Sequence, residues 1–170
     1  MTSSIVSKPS FLSGEIKIPG DKSVSHRAIL CSALAKSVST VNNLQLSEDV
    51  LNTVNVVRQL GITIDKTETG YQIFGKGFKG MSKPKGDLYF GNSGTGIRLT
   101  AGVLAWQSFN SQLKGDSSLS KRPMQRISEP LSSMGAKLLL TSENTPPIKI
   151  IGTTNPVSYT HLTLPTIYSV

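Results

Sequence analysis

One cysteine is all that the sequence holds, so Cys31 cannot close an internal disulfide. Its place in the apolar run AILCSALA predicts a buried structural thiol rather than a nucleophile or a ligand. No apolar run approaches the length of a membrane span, and the opening MTSSIVSKPSFLSGEIK has no positively charged lead into an apolar core. These absences predict a cytoplasmic protein without a membrane partner. Aromatic residues make up only 6% of the chain, which gives little stacking surface for single-stranded nucleic acid. The GxxxxGK[ST] spacing of a Walker loop is missing, and GNSGTG does not follow the G-x-G-x-x-G order of a dinucleotide fold. Acidic residues are also scarce: 10 face 18 basic ones, and the formal charge of +8 favours an acidic partner. Charge alone does not choose among nucleic acid, anionic lipid and a phosphorylated metabolite.

What the 170 residues do contain, with 37% apolar content, is enough to bury the core of one ordinary domain. The basic residues are scattered apart from the lysines of GKGFKGMSKPKG (75–86), whose glycines and prolines read as a solvated hairpin and linker rather than a nucleic-acid patch. Self-similarity is more informative. GDKSVSHR (20–27) and GNSGTGIR (91–98) align at an offset of 71, each followed by an apolar helical run and later by a second helical segment that closes on Leu60-Gly61 or Met134-Gly135. The expected order in the first unit is helix, strand, helix, hairpin. Ser47-Glu48-Asp49 can cap a helix with apolar positions Val50, Leu51, Val54, Val57 and Leu60, and Gly61 stops it. ITID and YQIF then form a hairpin across Lys66 to Gly70. In the second unit Pro123 suits the first turn of a helix that Pro130 should kink and that should reach Met134.

Each unit opens with a glycine turn running straight into a helix, where free N–H groups and the helix dipole attract phosphate or carboxylate. Lys22 adds a point charge, and Ser23 and Arg27, four apart, share a helix face. In the second turn Asn92 and Thr95 offer side chains, Gly94 allows close approach, and Arg98 stands four beyond Gly94. A single such turn is more often an ordinary helix cap; two matched turns favour an anion site. His26, inside the first turn, reads as a hydrogen-bonded structural residue, because a helix start lowers the affinity of imidazole for a proton. Lys121-Arg122-Pro123, with Arg126 four beyond Arg122, adds basic charge at a helix start.

PGDKSVSHRA, GNSGTGIR and GDSSLSKRPMQRISEPLSSMGAK, in that order, resemble the 5-enolpyruvylshikimate-3-phosphate synthase family from about Gly14 to about Gly152. A sister family of enolpyruvyl transferases has asparagine after the motif lysine, where this chain has Ser23. The resemblance implies an α/β (α+β) fold of two lobes, each built from three βαβαββ units, closing on substrate between them. It implies that residues 1–19 belong to the opposite lobe and that 20–156 form a partial lobe, truncated to two of three units, at about 20–80 and 86–152. It further implies transfer of the enolpyruvyl group of phosphoenolpyruvate to the 5-hydroxyl of shikimate 3-phosphate, with release of phosphate. No metal or organic cofactor is implied, and the complete enzyme is expected to be a monomer. Lys22 matches a residue that contacts phosphoenolpyruvate and takes part in proton transfer. Lys22, Ser23, Arg27 and Thr95 correspond to the shikimate 3-phosphate site. Lys22, Asn92, Gly94 and Arg122 correspond to the phosphoenolpyruvate site, with Arg98 in support. The family's acidic residues and further arginines come from a second lobe absent from these residues.

The last stretch, VSYTHLTLPTIYSV (157–170), has no charged side chain, and VSYTHL resembles a translated transposon end, so a foreign tail is expected there, with no role for His161. An alternative from another class is an RNA 3′-phosphate cyclase-like module, since that family shares the repeat architecture and the chain is basic.

Overall fold

The computed structural model describes residue 11 and residues 13–155; the expected tail at 157–170 and most of the N-terminal segment lie outside the described residues. Among the described residues, four helices and seven strands follow in the order α1 (Lys22–Leu34), β1 (Val38–Asn42), α2 (Glu48–Gln59), β2 (Thr63–Lys66), β3 (Gly70–Phe74), β4 (Leu88–Tyr89), α3 (Gly94–Leu104), β5 (Ser111–Lys114), α4 (Gln125–Ser133), β6 (Lys137–Leu139) and β7 (Ile148–Ile151). A single 3-10 turn, Leu119–Lys121, precedes α4. The fold is mixed α+β.

The strands form two sheets of matched plan. The first has the order β1-β3-β2, all antiparallel, and the second the order β4-β5-β7-β6. In the second, β7 lies between β5 and β6 as β3 lies between β1 and β2, and β4 adds a parallel strand beside β5. Each sheet buries one face through period-two alternation: Ile64, Tyr71 and Ile73 in the first, Leu113, Ile148 and Ile150 in the second. Helices α1, α2 and α3 pack on one another, and α4 lies against α3 and β6. Fully buried Ile29 and Ala33 of α1, Val57 of α2, and Ile97, Ala101 and Leu104 of α3 make the helical part of one continuous core. Burying such side chains contributes roughly 1.5–3 kcal/mol each for the larger ones.

The two helix stops are the same device. Gly61 (φ +84°) and Gly135 (φ +92°) follow Leu60 and Met134. At the first, the Gly61 N–H donates to Arg58 and the Ile62 N–H to Val57; at the second, Gly135 donates to Ser132 and Ala136 to Leu131. This pair of bonds is the Schellman closure, which needs a left-handed residue that glycine adopts without a Cβ penalty.

Several sequence expectations are corrected. Cys31 is exposed, because α1 turns Ile29, Leu30 and Ala33 inward and leaves position 31 on the outer face. Ser47 stands at the start of α2, but its hydroxyl donates to Gln45 and caps no helix amide. Leu51 is partly exposed at 37%, while Val56 is buried instead. Residues 75–87 contain no strand, so the lysine-rich stretch is a linker without a hairpin; Met81 pins it to the core while Lys76, Lys79, Lys83 and Lys85 stay exposed. Pro123 lies outside α4, ahead of the residue that begins it. A proline drives its predecessor to extended backbone, and Arg122 has φ −85° and ψ 133°. The expected hairpin of β2 and β3 does form, with strands reaching to Lys66 and Gly70.

Candidate active site

Helices α1 and α3 start side by side, yet their starts are chemically different. Asp21 caps α1 by accepting the Val24 N–H at 2.7 Å, so a carboxylate already sits at that positive end. Ser93 caps α3 with a neutral hydroxyl that accepts the Gly96 N–H at 3.1 Å. An external anion is therefore better received at α3, and the cleft lies there.

That cleft has a volume of about 250 Å³ and is lined by Lys22, Asp49, Asn92, Gly94, Thr95, Arg98 and Arg122. No apolar side chain faces it. Three cations against one carboxylate give the lining an excess of positive charge suited to a phosphate or carboxylate ligand. Arg122, held extended between the 3-10 turn and α4, donates to the Asn92 carboxamide. Arg98 donates to the Pro123 carbonyl at 3.1 Å, which ties α3 to the chain beside Arg122. Gly94 is the floor between the two guanidiniums: a Cβ there would stand 3.0 Å from a nitrogen of each. The approach of Gly91 is forced as well, by a φ of +55° and by the Asn52 amide, 2.5 Å from where its Cβ would be.

Of the residues singled out from the sequence, Lys22, Asn92, Gly94, Thr95, Arg98 and Arg122 come together around this cleft. Ser23 and Arg27 do not line it; Ser23 is half-buried and Arg27 exposed on α1. Arg98 does not repeat the Arg27 geometry. The cap moves from Asp21 to Ser93, an offset one longer than that of the motifs, so Arg27 is the sixth residue of its helix and Arg98 the fifth. One position on a helix rotates a side chain by about 100°.

Sequence reasoning missed Asp49. Its carboxylate pairs with the Lys22 ammonium at 2.9 Å and closes one side of the cleft. Its acidic place in the first turn of α2 reads as an ordinary dipole residue, and nothing local links it to a lysine 27 positions earlier.

His26 lies behind the cleft, fully buried. Its Nδ1 is 2.8 Å from Thr53 Oγ1 on α2, and its Nε2 is 3.4 Å from Ser93 Oγ at the start of α3. Burial lowers its pKa from the usual 6.5; Asp49 opposes the shift and Lys22 adds to it. It is a neutral, hydrogen-bonded structural histidine, as the sequence suggested.

The family EPSP synthase (3-phosphoshikimate 1-carboxyvinyltransferase) matches residues 6–166, a span that includes residues 157–166 of the C-terminal stretch. The chain belongs to the EPSP synthase family. Among its relatives is the 3-phosphoshikimate 1-carboxyvinyltransferase of Streptococcus suis, 48% identical over 151 residues, which span 87% of this chain and 35% of that protein. The Streptococcus sanguinis protein of the same name is 47% identical over the same shares. A solved structure of EPSP synthase from Acinetobacter baumannii superposes with a TM-score of 0.79 at 45% identity, covering 82% of this chain and 32% of that one. The chain thus spans about a third of the length of the relatives it matches. Among the described residues, no helix is long and apolar enough to cross a membrane.

Proposed function

We propose that the chain supplies part of the substrate site of an enzyme that transfers the enolpyruvyl group of phosphoenolpyruvate to the 5-hydroxyl of shikimate 3-phosphate. The observation that carries this reading is the convergence of Lys22, Asn92, Gly94, Thr95, Arg98 and Arg122 on one cationic cleft in a chain of this family. In the reaction the 5-hydroxyl gives up its proton as its oxygen bonds to C2 of phosphoenolpyruvate and C3 gains a proton. The tetrahedral adduct then loses a proton from C3 as its C2–O bond to phosphate breaks, which restores the C2–C3 double bond in the enol ether product and releases inorganic phosphate. Such chemistry needs cations and fixed donors around the phosphate and an acid/base group near the carbon.

Arg122, oriented by Asn92, is assigned to the phosphate of phosphoenolpyruvate, with Gly94 allowing close approach and Arg98 supporting the arm. Lys22, leaving its pair with Asp49, is the one lysine of the cleft and takes the catalytic proton-transfer role. Ser23, Arg27 and Thr95, with Lys22, are assigned to shikimate 3-phosphate, Ser23 and Arg27 reaching it from the α1 side. No metal or organic cofactor enters this scheme, and the complete enzyme acts as a monomer on two small molecules. The two matched sheets are taken as two of three units of one lobe, spanning about 20–80 and 86–152, with residues 1–19 belonging to the opposite lobe. Neither the cleft nor the relatives named above favour an RNA cyclase.

The test is a chimera in which residues 14–152 of this chain replace the aligned segment of the S. suis relative. Turnover of both substrates is expected, and Arg122→Ala in the chimera should chiefly raise the KM for phosphoenolpyruvate. A folded chimera without turnover, or an Arg122 variant altered only towards shikimate 3-phosphate, rejects the assignment.

A further inference from the structure

Three helix starts carry the cleft, and one side chain touches or leads to all of them. His26, on α1 four residues beyond Lys22, contacts Ser93, which caps the helix bearing Gly94, Thr95 and Arg98. It also contacts Thr53, whose hydroxyl donates to the Asp49 carbonyl at 3.4 Å one turn back along α2. Asp49 in turn holds Lys22. We propose that His26 is a positioning residue for the cleft, present as the neutral Nδ1–H tautomer that fixes the starts of α1, α2 and α3 relative to one another. The inference rests on the reading of the cleft as an anion site, and it adds a role that the sequence motif alone does not provide.

The tautomer follows from counting protons. Ser93 Oγ already accepts the Gly96 N–H, so its own proton is free to go to His26 Nε2. That leaves Nδ1 to carry the ring proton and to donate to Thr53 Oγ1, whose hydroxyl proton goes to the Asp49 carbonyl. Each donor is used once, and all run in one direction from α3 through α1 to α2. The opposite tautomer would require Thr53 to donate to Nδ1 and would leave the Asp49 carbonyl without the hydroxyl. An imidazolium would present a proton to each oxygen and leave the Ser93 hydroxyl proton without an acceptor in a fully buried site. Removing the ring leaves Thr53 and Ser93, both fully buried, without this partner.

The experiment uses the 170-residue chain, with inorganic phosphate as the probe. Long-range proton–nitrogen NMR of the imidazole should show Nδ1 protonated and Nε2 bare. His26→Ala should weaken phosphate binding by about tenfold, as expected for losing a hydrogen bond or two behind the site, and should speed amide exchange at Gly96. His26→Asn, whose amide N–H stands near the place of Nδ1–H, should recover most of the phosphate affinity. A bare Nδ1, a folded alanine variant with unchanged affinity and exchange, or a folded asparagine variant without recovery would each overturn the proposal. Should the alanine variant not fold, the tautomer and the asparagine variant decide. A parent chain that fails to bind phosphate rejects the proposed function, while the tautomer and the Gly96 exchange still decide the role of His26.

Discussion

Gly94 and His26 show how single residues set the cleft from opposite sides. A methyl group on Gly94 would meet the tips of Arg98 and Arg122 at 3.0 Å, so the flexible guanidiniums must give way while the backbone need not. Although Gly94 is buried, the atoms in the way are the ends of two flexible side chains, so Gly94→Ala is expected to leave the melting temperature little changed. It should weaken phosphate binding by about tenfold, because both cations shift from the ligand. Calorimetric titration beside thermal melting separates the two effects; a loss of folding with unchanged binding would contradict it. His26 brings a pH dependence. Its folded-state pKa lies below the ordinary 6.5, so the unfolded chain binds the extra proton first as acid is added. Stability from this group is fully present above pH 6.5 and declines below it until the lowered folded pKa is passed. Denaturant midpoints on either side of pH 6.5 should fall more on acidification in the parent than in His26→Asn; equal falls would show that His26 does not titrate this way. The motif residues of the cleft were legible in the sequence because they lie in three short runs. Asp49 was not, because its partner is reached only through the packing of α1 on α2.

At the scale of elements, what could be read were local signals with one structural solution. Leu60-Gly61 and Met134-Gly135 end their helices because each glycine takes a positive φ that closes the Schellman bonds. Gly61→Ala should cost roughly 1–2 kcal/mol, the penalty of a Cβ in left-handed backbone, with a further clash where that Cβ would lie 2.8 Å from Ser82 Oγ. Chemical denaturation with phosphate affinity as a control tests it: an unchanged midpoint would mean that the helix stop relaxes. Misread elements were those decided by a distant partner or by competition between neighbours. The lysine-rich linker has turn residues without cross-strand partners, and Pro123, behind an extended Arg122, is followed by Met124 at the start of α4 rather than opening the helix itself. The two glycine turns look alike as strings, yet a carboxylate caps one and a hydroxyl the other, which leaves the start of α3 the better suited to an external anion.

For the whole molecule, the described residues form two sheets, β1-β3-β2 and β4-β5-β7-β6, with packed helices between them in sequence. The positive charge that chose no partner by amount is concentrated by place, since three cations, Lys22, Arg98 and Arg122, line one cleft at the start of α3. Around this cleft the chain offers Lys22 and Asp49 as its acid/base groups, paired with each other, and it covers about a third of its relatives' length. Transfer of an enolpyruvyl group needs charge from both sides and exclusion of water, which an open cleft on one face does not supply. The 170-residue chain expressed alone is expected to bind phosphoenolpyruvate weakly at the α3 start without turning it over. Phosphate release with both substrates, measured beside binding by NMR titration, checks the pair of statements. Binding without release fits a cleft that is half of a site, and release at a rate near that of the S. suis relative would show that this chain holds the whole catalytic machinery.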